Sequence, residues 1–238
     1  MTWSIIARDP ETAAIGIAVA SRFFAAGALV PWIDPEAGAV ATQALVNATY
    51  GPRGLALLRE GRAAGTVVAS LTDPDAGAGQ RQLHVMDRNG SFAAHTGTDC
   101  VGWCGHLIGP DYSVAGNMLA GAAVIEATAE AYRSEAAKPF ARRLIAAMQA
   151  GEAKGGDKRG RQSAAVLIHT TETHPFLSMR VDDHPDPLAE LERLERVSHE
   201  RYIHLAKLLP TQADPVGCID RAVIDRTIAE AVAREAAS

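Results

Sequence analysis

The sequence is poor in the residues that mark several classes of protein. It has 3 cysteines in 238 residues, and a number that is both small and odd argues against a disulfide scaffold. Acidic residues outnumber basic ones by 28 to 23, so no overall positive field is present to attract nucleic acid or an anionic membrane. No signal-peptide pattern opens the chain, and no apolar run approaches the roughly 20 residues of a membrane span. We therefore expect a cytoplasmic protein without nucleic-acid or membrane partners.

Metal-binding patterns are also scarce in this sequence. Cys100 and Cys104 form a C-x3-C spacing without a second pair, which favours free thiols over a metal site. The 8 histidines are scattered and include no H-x-x-x-H pair. These observations predict neither a metal site nor a cofactor.

The spacing of apolar residues predicts a mixed α and β fold. Alternating or β-branched runs predict strands at 3–8, 15–21, 37–44, 80–87, 92–96, 112–115, 164–169 and 176–182. Helical spacing predicts helices at 52–61, 66–71, 122–132, 139–150 and 187–209, with a last helix after Pro215. Hairpin-joined strands form antiparallel sheets, and the helices must cover their outer faces. This α+β pattern fits a four-layer αββα sandwich of two antiparallel sheets with C-terminal helices, although a two-layer α+β fold has the same periodicity.

Thr2 is the first candidate for chemistry. Removal of the initiator Met1 before a small residue leaves threonine with a free α-amine, so one residue carries both a hydroxyl nucleophile and a base. The α-amine has a reference pKa of roughly 7.7–8.0, and a useful fraction is therefore neutral near physiological pH. Many proteins simply begin with Met-Thr, and retention of Met1 would convert the amine into an amide that cannot act as a base.

Other polar residues lie where predicted strands end. Ser21 and Arg22 close the second strand, where Arg22 supplies fixed positive charge beside Thr2 or, alternatively, forms a surface turn. Gln43 and Asn47 lie at the junction of the third strand and a helix, a position that suits donors to an oxyanion as well as capping residues. We predict catalytic roles for Thr2, Ser21, Arg22, Gln43 and Asn47.

A second group of polar residues is predicted to bind substrate. His95 ends a strand, although a lone histidine is often structural, and Asn117 follows Gly116 in a predicted sharp turn. The segment 155–163 combines glycines with acidic and basic residues but lacks the spacing of a phosphate-binding loop. The predicted substrate-binding residues are Tyr50, His95, Thr96, Asn117, Asp157 and Gln162.

Ordered motifs along most of the chain resemble one bacterial family without an assigned function. They are TWSIIARD (2–9), VASRF (19–23), ATQA (41–44), YGPRG (50–54), AHTG (94–97), GNML (116–119), GGDKRGRQSA (155–164) and RVDDHPDP (180–187). That family is similar in fold to the N-terminal nucleophile (Ntn) hydrolases, which implies the αββα sandwich for a domain at 1–187. Residues 188–238 then form a helical extension, packed on this core or on a partner subunit.

The opening of the chain is also similar to proteasome β-type subunits, in Thr2 followed by Ser21-Arg22. Those subunits place a lysine close to the nucleophile, whereas no lysine precedes Lys138 here. Two interpretations follow. The first is an Ntn amidohydrolase that cleaves a small linear amide or a short peptide, and the second is a non-catalytic binding or assembly protein that keeps the fold. We expect a homodimer, because the C-terminal helices carry apolar stripes.

Overall fold

The computed structural model describes residues 2–237 and contains two antiparallel sheets with helices on their outer faces. The strands are β1 (Thr2–Arg8), β2 (Ile15–Ser21), β3 (Pro31–Asp34), β4 (Gly38–Ala44), β5 (Arg81–Asp87), β6 (Phe92–Thr96), β7 (Trp103–Ile108), β8 (Tyr112–Leu119), β9 (Ser163–His169) and β10 (Leu177–Val181). The helices are α1 (Tyr50–Arg59), α2 (Ala64–Thr72), α3 (Ala123–Ser134), α4 (Phe140–Ala153), α5 (Pro187–Ser198), α6 (Tyr202–Ala206) and α7 (Arg221–Ala236).

The strand order places the first strand at the centre of the larger sheet. That sheet runs β10-β9-β2-β1-β8-β7, and the smaller sheet runs β3-β4-β5-β6. Strand β1 pairs antiparallel with β2 on one side and with β8 on the other. The backbone at the start of the chain is therefore fixed by hydrogen bonds from two neighbouring strands.

Helices cover the outer face of each sheet. Helices α1 and α2 cover the smaller sheet, where Leu58 and Leu71 join Val40, Leu83 and Val85 in one buried cluster. Helices α3 and α4 cover the larger sheet; α4 approaches so closely that a Cβ on Gly16 would meet a methyl carbon of Leu144 at 2.6 Å. The predicted α+β, four-layer αββα sandwich is confirmed.

The space between the two sheets is apolar at one end and polar at the other. Ile6, Ile17 and Met86 belong to a buried apolar cluster between the sheets. Side chains on one face of a strand recur at every second residue, so the same face of β1 that carries Ile6 also carries Ser4 and Thr2. Both of these polar residues are buried. The polar end of the interior therefore begins where the chain begins.

The structure differs from the sequence prediction at two edge strands. Strand β3 begins with Pro31, and β7 contains Gly105, two residue types that are unfavourable inside a strand. Each of these strands lies at the edge of its sheet, where one side has no ladder to interrupt. The predicted strand 112–115 extends as far as Leu119.

The chain divides into two compact units, residues 1–191 and residues 192–238. The second unit contains the end of α5, with α6 and α7, and buries Ile203 and Ile228. The single helix predicted at 187–209 is wrong, because α5 ends at Ser198. The hydroxyl of Ser198 donates to the carbonyl of Glu195 at 2.6 Å, which competes with the helical backbone. The proposed domain boundary at residue 187 and the placement of the extension stay predictions.

Within residues 2–237, no helix has both the length and the apolar character needed to cross a lipid bilayer.

Candidate active site

Thr2 lies at the head of the central strand with a serine beside it. Strand pairing aligns Thr2 with Ser21 on β2 and with Asn117 on β8. The hydroxyl oxygens of Thr2 and Ser21 lie 3.0 Å apart in a buried hydrogen bond, and Thr2 is 7% exposed. The structure thus brings three of the predicted site residues together on adjacent strands.

Two side-chain amides hold the carbonyl of Thr2. The amide nitrogen of Asn117 donates to it at 3.2 Å, and that of Gln43 at 3.4 Å. Both nitrogens also donate to the side-chain oxygen of Gln82, at 3.0 and 2.8 Å respectively. The nitrogen of Gln82 in turn donates to the carbonyl of Gly116 at 2.9 Å. These bonds connect β1, β4, β5 and β8, so the position of Thr2 is set by both sheets.

A buried histidine continues this network below Thr2. Ser4 donates its hydroxyl proton to Gln43 Oε1 at 2.6 Å, and its oxygen lies 2.9 Å from Nε2 of His84. The other ring nitrogen, Nδ1, lies 3.0 Å from the hydroxyl of Ser113. Complete burial lowers the pKa of His84 to about 3. His84 is therefore neutral, with Nε2–H donating to Ser4 and Nδ1 accepting from Ser113.

The glycine-rich loop between α4 and β9 passes the beginning of β1. The carboxylate of Asp157, which is 4% exposed, accepts from the backbone N–H of Arg22 at 2.7 Å. Asp157 also forms an isolated antiparallel bridge with Leu119. Arg22 directly follows Ser21, the residue of β2 that pairs with Thr2. Leu119 lies two residues beyond Asn117, the residue of β8 that pairs with Thr2. Asp157 therefore contacts the chain next to both strands that flank β1, just beyond the residues that pair with Thr2.

The charged neighbours of this loop form their own contacts. Arg159 makes an ion pair with Asp157 at 3.2 Å. The guanidinium of Arg22 is exposed and donates to the carbonyl of Arg161 at 2.7 Å. The contact that Arg22 makes with Asp157 is through its backbone, while its side chain extends along the surface of the loop.

Asn47 and Tyr50 are placed together, but around a different carboxylate. The Tyr50 hydroxyl donates to Asp75 at 2.6 Å, Asn47 Nδ2 lies 3.4 Å from the same oxygen, and Arg81 pairs with it at 3.3 Å. The hydrogen bond from Tyr50 is the largest cause that lowers the pKa of Asp75, and burial chiefly raises the pKa of Tyr50. The side-chain oxygen of Asn47 accepts from the backbone N–H of Thr49, as in a turn that precedes a helix.

The remaining predicted residues lie in three surroundings. Half-buried His95 contacts the carbonyl of Ala78 through Nε2 at 2.9 Å. The Thr96 hydroxyl accepts from Gln82 Nε2 at 2.9 Å and lies 2.9 Å from Nδ1 of His106, so Thr96 joins the Gln82 network. Half-buried Gln162 donates to Asp183 at 3.1 Å.

The turn predicted at Asn117 is wrong, because Asn117 belongs to β8. The left-handed backbone occurs one residue later, at Met118, with φ of 55°. Ala44 has φ of 70° and directly follows Gln43. Positive φ is unfavourable for residues with a Cβ, and such conformations concentrate at functional sites. Both amides that hold the carbonyl of Thr2 thus precede a strained residue.

Five further members of this network were not predicted from the sequence, and all of them except exposed His106 are buried. They are Ser4, Gln82, His84, His106 and Ser113. On β5, Gln82 and His84 alternate with apolar Leu83 and Val85, a pattern typical of a strand with one solvent-facing side. The sequence signal for this buried polar network was the pattern Gln-x-His in β5, because a second sheet must cover one face of that strand.

The fold and the site together define an αββα sandwich with a threonine at the head of its central strand. The chain belongs to the family described as "Family of unknown function (DUF1028)", whose model matches residues 2–191. It is similar to the crystal structure of protein SPO2555 from Silicibacter pomeroyi, of the same family. The two are 34% identical with a TM-score of 0.85, over 92% of this chain and 96% of that one.

A more distant match is Anbu (ancestral beta-subunit) from Yersinia bercovieri, with 14% identity and a TM-score of 0.41, over 88% of this chain and 98% of that one. No curated protein matches the chain.

We predict that replacing His84 will reduce the sensitivity of the fold to acid. A free histidine has a pKa of about 6.5, so between pH 6.5 and pH 3 the unfolded chain takes up a proton that folded His84 does not. Stability is therefore full above pH 6.5 and decreases as pH falls, and His84 contributes about 2 kcal/mol to the loss between pH 7 and pH 5. Urea unfolding of the His84→Gln variant at both pH values should show a loss smaller by that amount.

The matched control is His174→Gln, since His174 is an exposed histidine. It should lose as much stability between pH 7 and pH 5 as the unaltered protein. An equal loss in the His84→Gln variant would show that His84 does not carry the effect.

Proposed function

We propose that the protein is an Ntn amidohydrolase that cleaves a small linear amide or a short peptide, with Thr2 as the nucleophile after removal of Met1. Met1 lies outside the described residues. The main support is the position of Thr2 at the head of the central strand, with its hydroxyl 3.0 Å from that of Ser21 and its carbonyl held by two amides. A nucleophile must be held in one geometry, and this arrangement does so.

The reaction divides into acylation and deacylation. The Thr2 hydroxyl attacks the amide carbonyl while the neutral α-amine takes its proton, and the tetrahedral intermediate then releases the amine product with that proton. This step leaves an ester between the acyl group and Thr2. A water molecule attacks the ester, and its proton returns to the Thr2 oxygen through the same amine, which frees the carboxylic acid and restores Thr2.

The amides near Thr2 take different roles in this proposal. The side-chain nitrogens of Gln43 and Asn117 already donate to Thr2 and Gln82, so we assign them to positioning the nucleophile. Asn47 Nδ2 makes only a long 3.4 Å contact with Asp75, and its role as an oxyanion donor stays a prediction from the sequence. Ser21, hydrogen-bonded to the nucleophile, relays or orients its proton.

We assign Asp157 to orienting the α-amine of Thr2. Its carboxylate is buried at the end of β1 and accepts backbone N–H groups from Arg22 and Arg159. A buried negative charge there orients the α-amine and raises its pKa. The base of the reaction is then the α-amine itself, so a neighbouring lysine is not required.

Exposed apolar side chains surround the strand ends that carry the site. Phe23 and Phe24, 52% and 62% exposed, follow Arg22 at the end of β2, and exposed Leu45 follows β4. The carbonyl of Val101, itself 64% exposed, accepts from the backbone N–H of Met118. Such a surface suits an amide with an apolar substituent. Arg22, Tyr50, His95, Thr96 and Gln162 stay predicted substrate contacts.

The alternative function is a non-catalytic binding or assembly protein. Two observations favour it: Thr2 is only 7% exposed, and the amides around it are paired with one another. In that case the network serves to join the two sheets, and the exposed phenylalanines serve to bind a partner.

Replacing Thr2 distinguishes the two functions. The protein is first shown by intact mass to lack Met1, and it is then treated with a β-lactone, which acylates a nucleophilic hydroxyl. We expect one adduct on Thr2, and we expect Thr2→Ala to reduce both this reaction and hydrolysis across an amide panel by about three orders of magnitude or more, because the nucleophile is lost. Thr66→Ala, at an exposed threonine of α2, is the control. Equal reactivity in Thr2→Ala, or retention of Met1 in the native host, would favour the alternative.

Replacing Asp157 tests the assignment of the base. Asp157→Asn keeps the shape and one acceptor oxygen but removes the charge that favours the protonated amine. The lower limb of the pH profile of β-lactone acylation should therefore move to lower pH, and the maximal rate should decrease by about tenfold or more. Asp73→Asn, at an exposed aspartate, should leave the profile unchanged. A lower rate without a shift of the lower limb of the pH profile would show that Asp157 has only a structural role.

The proposal includes a homodimer in the cytoplasm. All three cysteines are free thiols, which a reducing compartment preserves. The second unit exposes Tyr202, Val216 and Ile219, at 43%, 61% and 79%. Light scattering at micromolar concentration should give twice the 25.1 kDa mass of the chain. The Ile219→Asp variant should give the mass of a single chain. A single-chain mass for the unaltered protein would contradict the proposed dimer.

A further inference from the structure

A group of potential metal ligands lies within the second unit, among residues to which the proposed function assigns no role. One ligand atom each of His199, His204 and Glu235 lies within 4.8 Å of the other two. Nδ1 of His199 is 2.8 Å from Oε2 of Glu235, and Nε2 of His204 is 3.8 Å from the other oxygen, Oε1. His199 follows α5, His204 is in α6, and Glu235 is in the last turn of α7.

His204 provides an observation of a different kind. It is 4% exposed, and its Nε2 is buried without a hydrogen-bond partner. Buried polar atoms nearly always have a partner, so an orphaned ring nitrogen directed at a carboxylate requires an explanation. A bound cation supplies one, because neutral imidazole coordinates a metal through this lone pair.

Glu195 completes the arrangement from outside the ligand set. The Glu195 side chain is 2% exposed, and a carboxylate oxygen lies 2.9 Å from Nε2 of His199. Holding the proton on Nε2 leaves Nδ1 with the lone pair that faces Glu235. Metal-ligating histidines commonly donate their second nitrogen to a carboxylate in this manner, which fixes both tautomer and ring orientation.

We propose that His199, His204 and Glu235 form a zinc site that joins the end of α7 to the α5–α6 segment. Two imidazoles and one carboxylate are a ligand set typical of Zn²⁺, which takes a fourth ligand from water. In a tetrahedral site the ligand atoms are about 3.4 Å apart, so the 2.8 and 3.8 Å distances to Glu235 need shifts of about half an ångström. No H-x-x-x-H spacing marks this group in the sequence, because His199 and His204 are five residues apart and Glu235 is distant along the chain.

Metal titration of the full chain, without a histidine tag and after treatment with a chelator, tests this site. We expect one Zn²⁺ per chain, competition between Zn²⁺ and Co²⁺, and a Co²⁺ absorption spectrum of tetrahedral type. Zinc should also raise the melting temperature, since it joins separate helices. Failure to bind one equivalent, or an octahedral Co²⁺ spectrum, would overturn the proposal.

Matched variants identify the ligands. His199→Asn and Glu235→Gln alter partly exposed residues and so should fold normally by circular dichroism. Each should weaken zinc binding at least tenfold and abolish the rise in melting temperature. Glu195→Gln should weaken binding by about 10- to 100-fold while retaining the tetrahedral Co²⁺ spectrum.

The control is Glu230→Gln, which alters an exposed glutamate of α7 outside the proposed ligand set. This variant should bind zinc normally. Unchanged zinc affinity in both His199→Asn and Glu235→Gln would contradict the site. Because these readouts do not involve Thr2, they stand or fall independently of the amidohydrolase proposal.

Discussion

The structure around Thr2 depends on one buried side chain, Gln82, which joins the two sheets. Its oxygen accepts from Gln43 and Asn117, and its nitrogen donates to the carbonyl of Gly116. An unpaired buried amide costs about 1–3 kcal/mol, so a network with every member paired is stable in few arrangements. The network selects one alignment of the sheets, and this alignment determines where the first strand begins and what faces it.

Strand register carries this constraint to Thr2. A slip of one residue turns every side chain of a strand to the opposite face, and β1 has Trp3 and Ile5 on the face toward α3 and α4. A slip would bury Thr2 beneath the helices and place Trp3 between the sheets. The hydroxyl pair of Thr2 and Ser21 is therefore a consequence of the apolar residues further along the same strands, Ile6 and Ile17, which must face the inner core.

Much of the fold was predictable, and the site only in part. Hairpins and amphipathic helices leave strong periodic patterns, and these predicted the four layers. The polar residues Thr2, Ser21 and Asn117 at the ends of predicted strands indicated a site, and strand pairing aligned all three. The polar interior was not predictable from periodicity, because Gln82 and His84 occupy a face that alternation assigns to solvent. The zinc ligands were missed for another reason: α5 ends at Ser198, and the irregular segment that follows positions His199 in a way that no helical repeat describes.

The proposed function places two opposing demands on Thr2. The amides and the two neighbouring strands fix Thr2, and the same contacts leave 7% of the residue exposed. Access must therefore come from the end of β1, where the Asp157 loop and the left-handed residues Ala44 and Met118 lie. Strained backbone beside a rigid network marks the part of the molecule where geometry has been kept at a cost in stability. That cost is understandable if the end of β1 is where a substrate meets Thr2, since a purely structural junction between the sheets would have no reason to retain it.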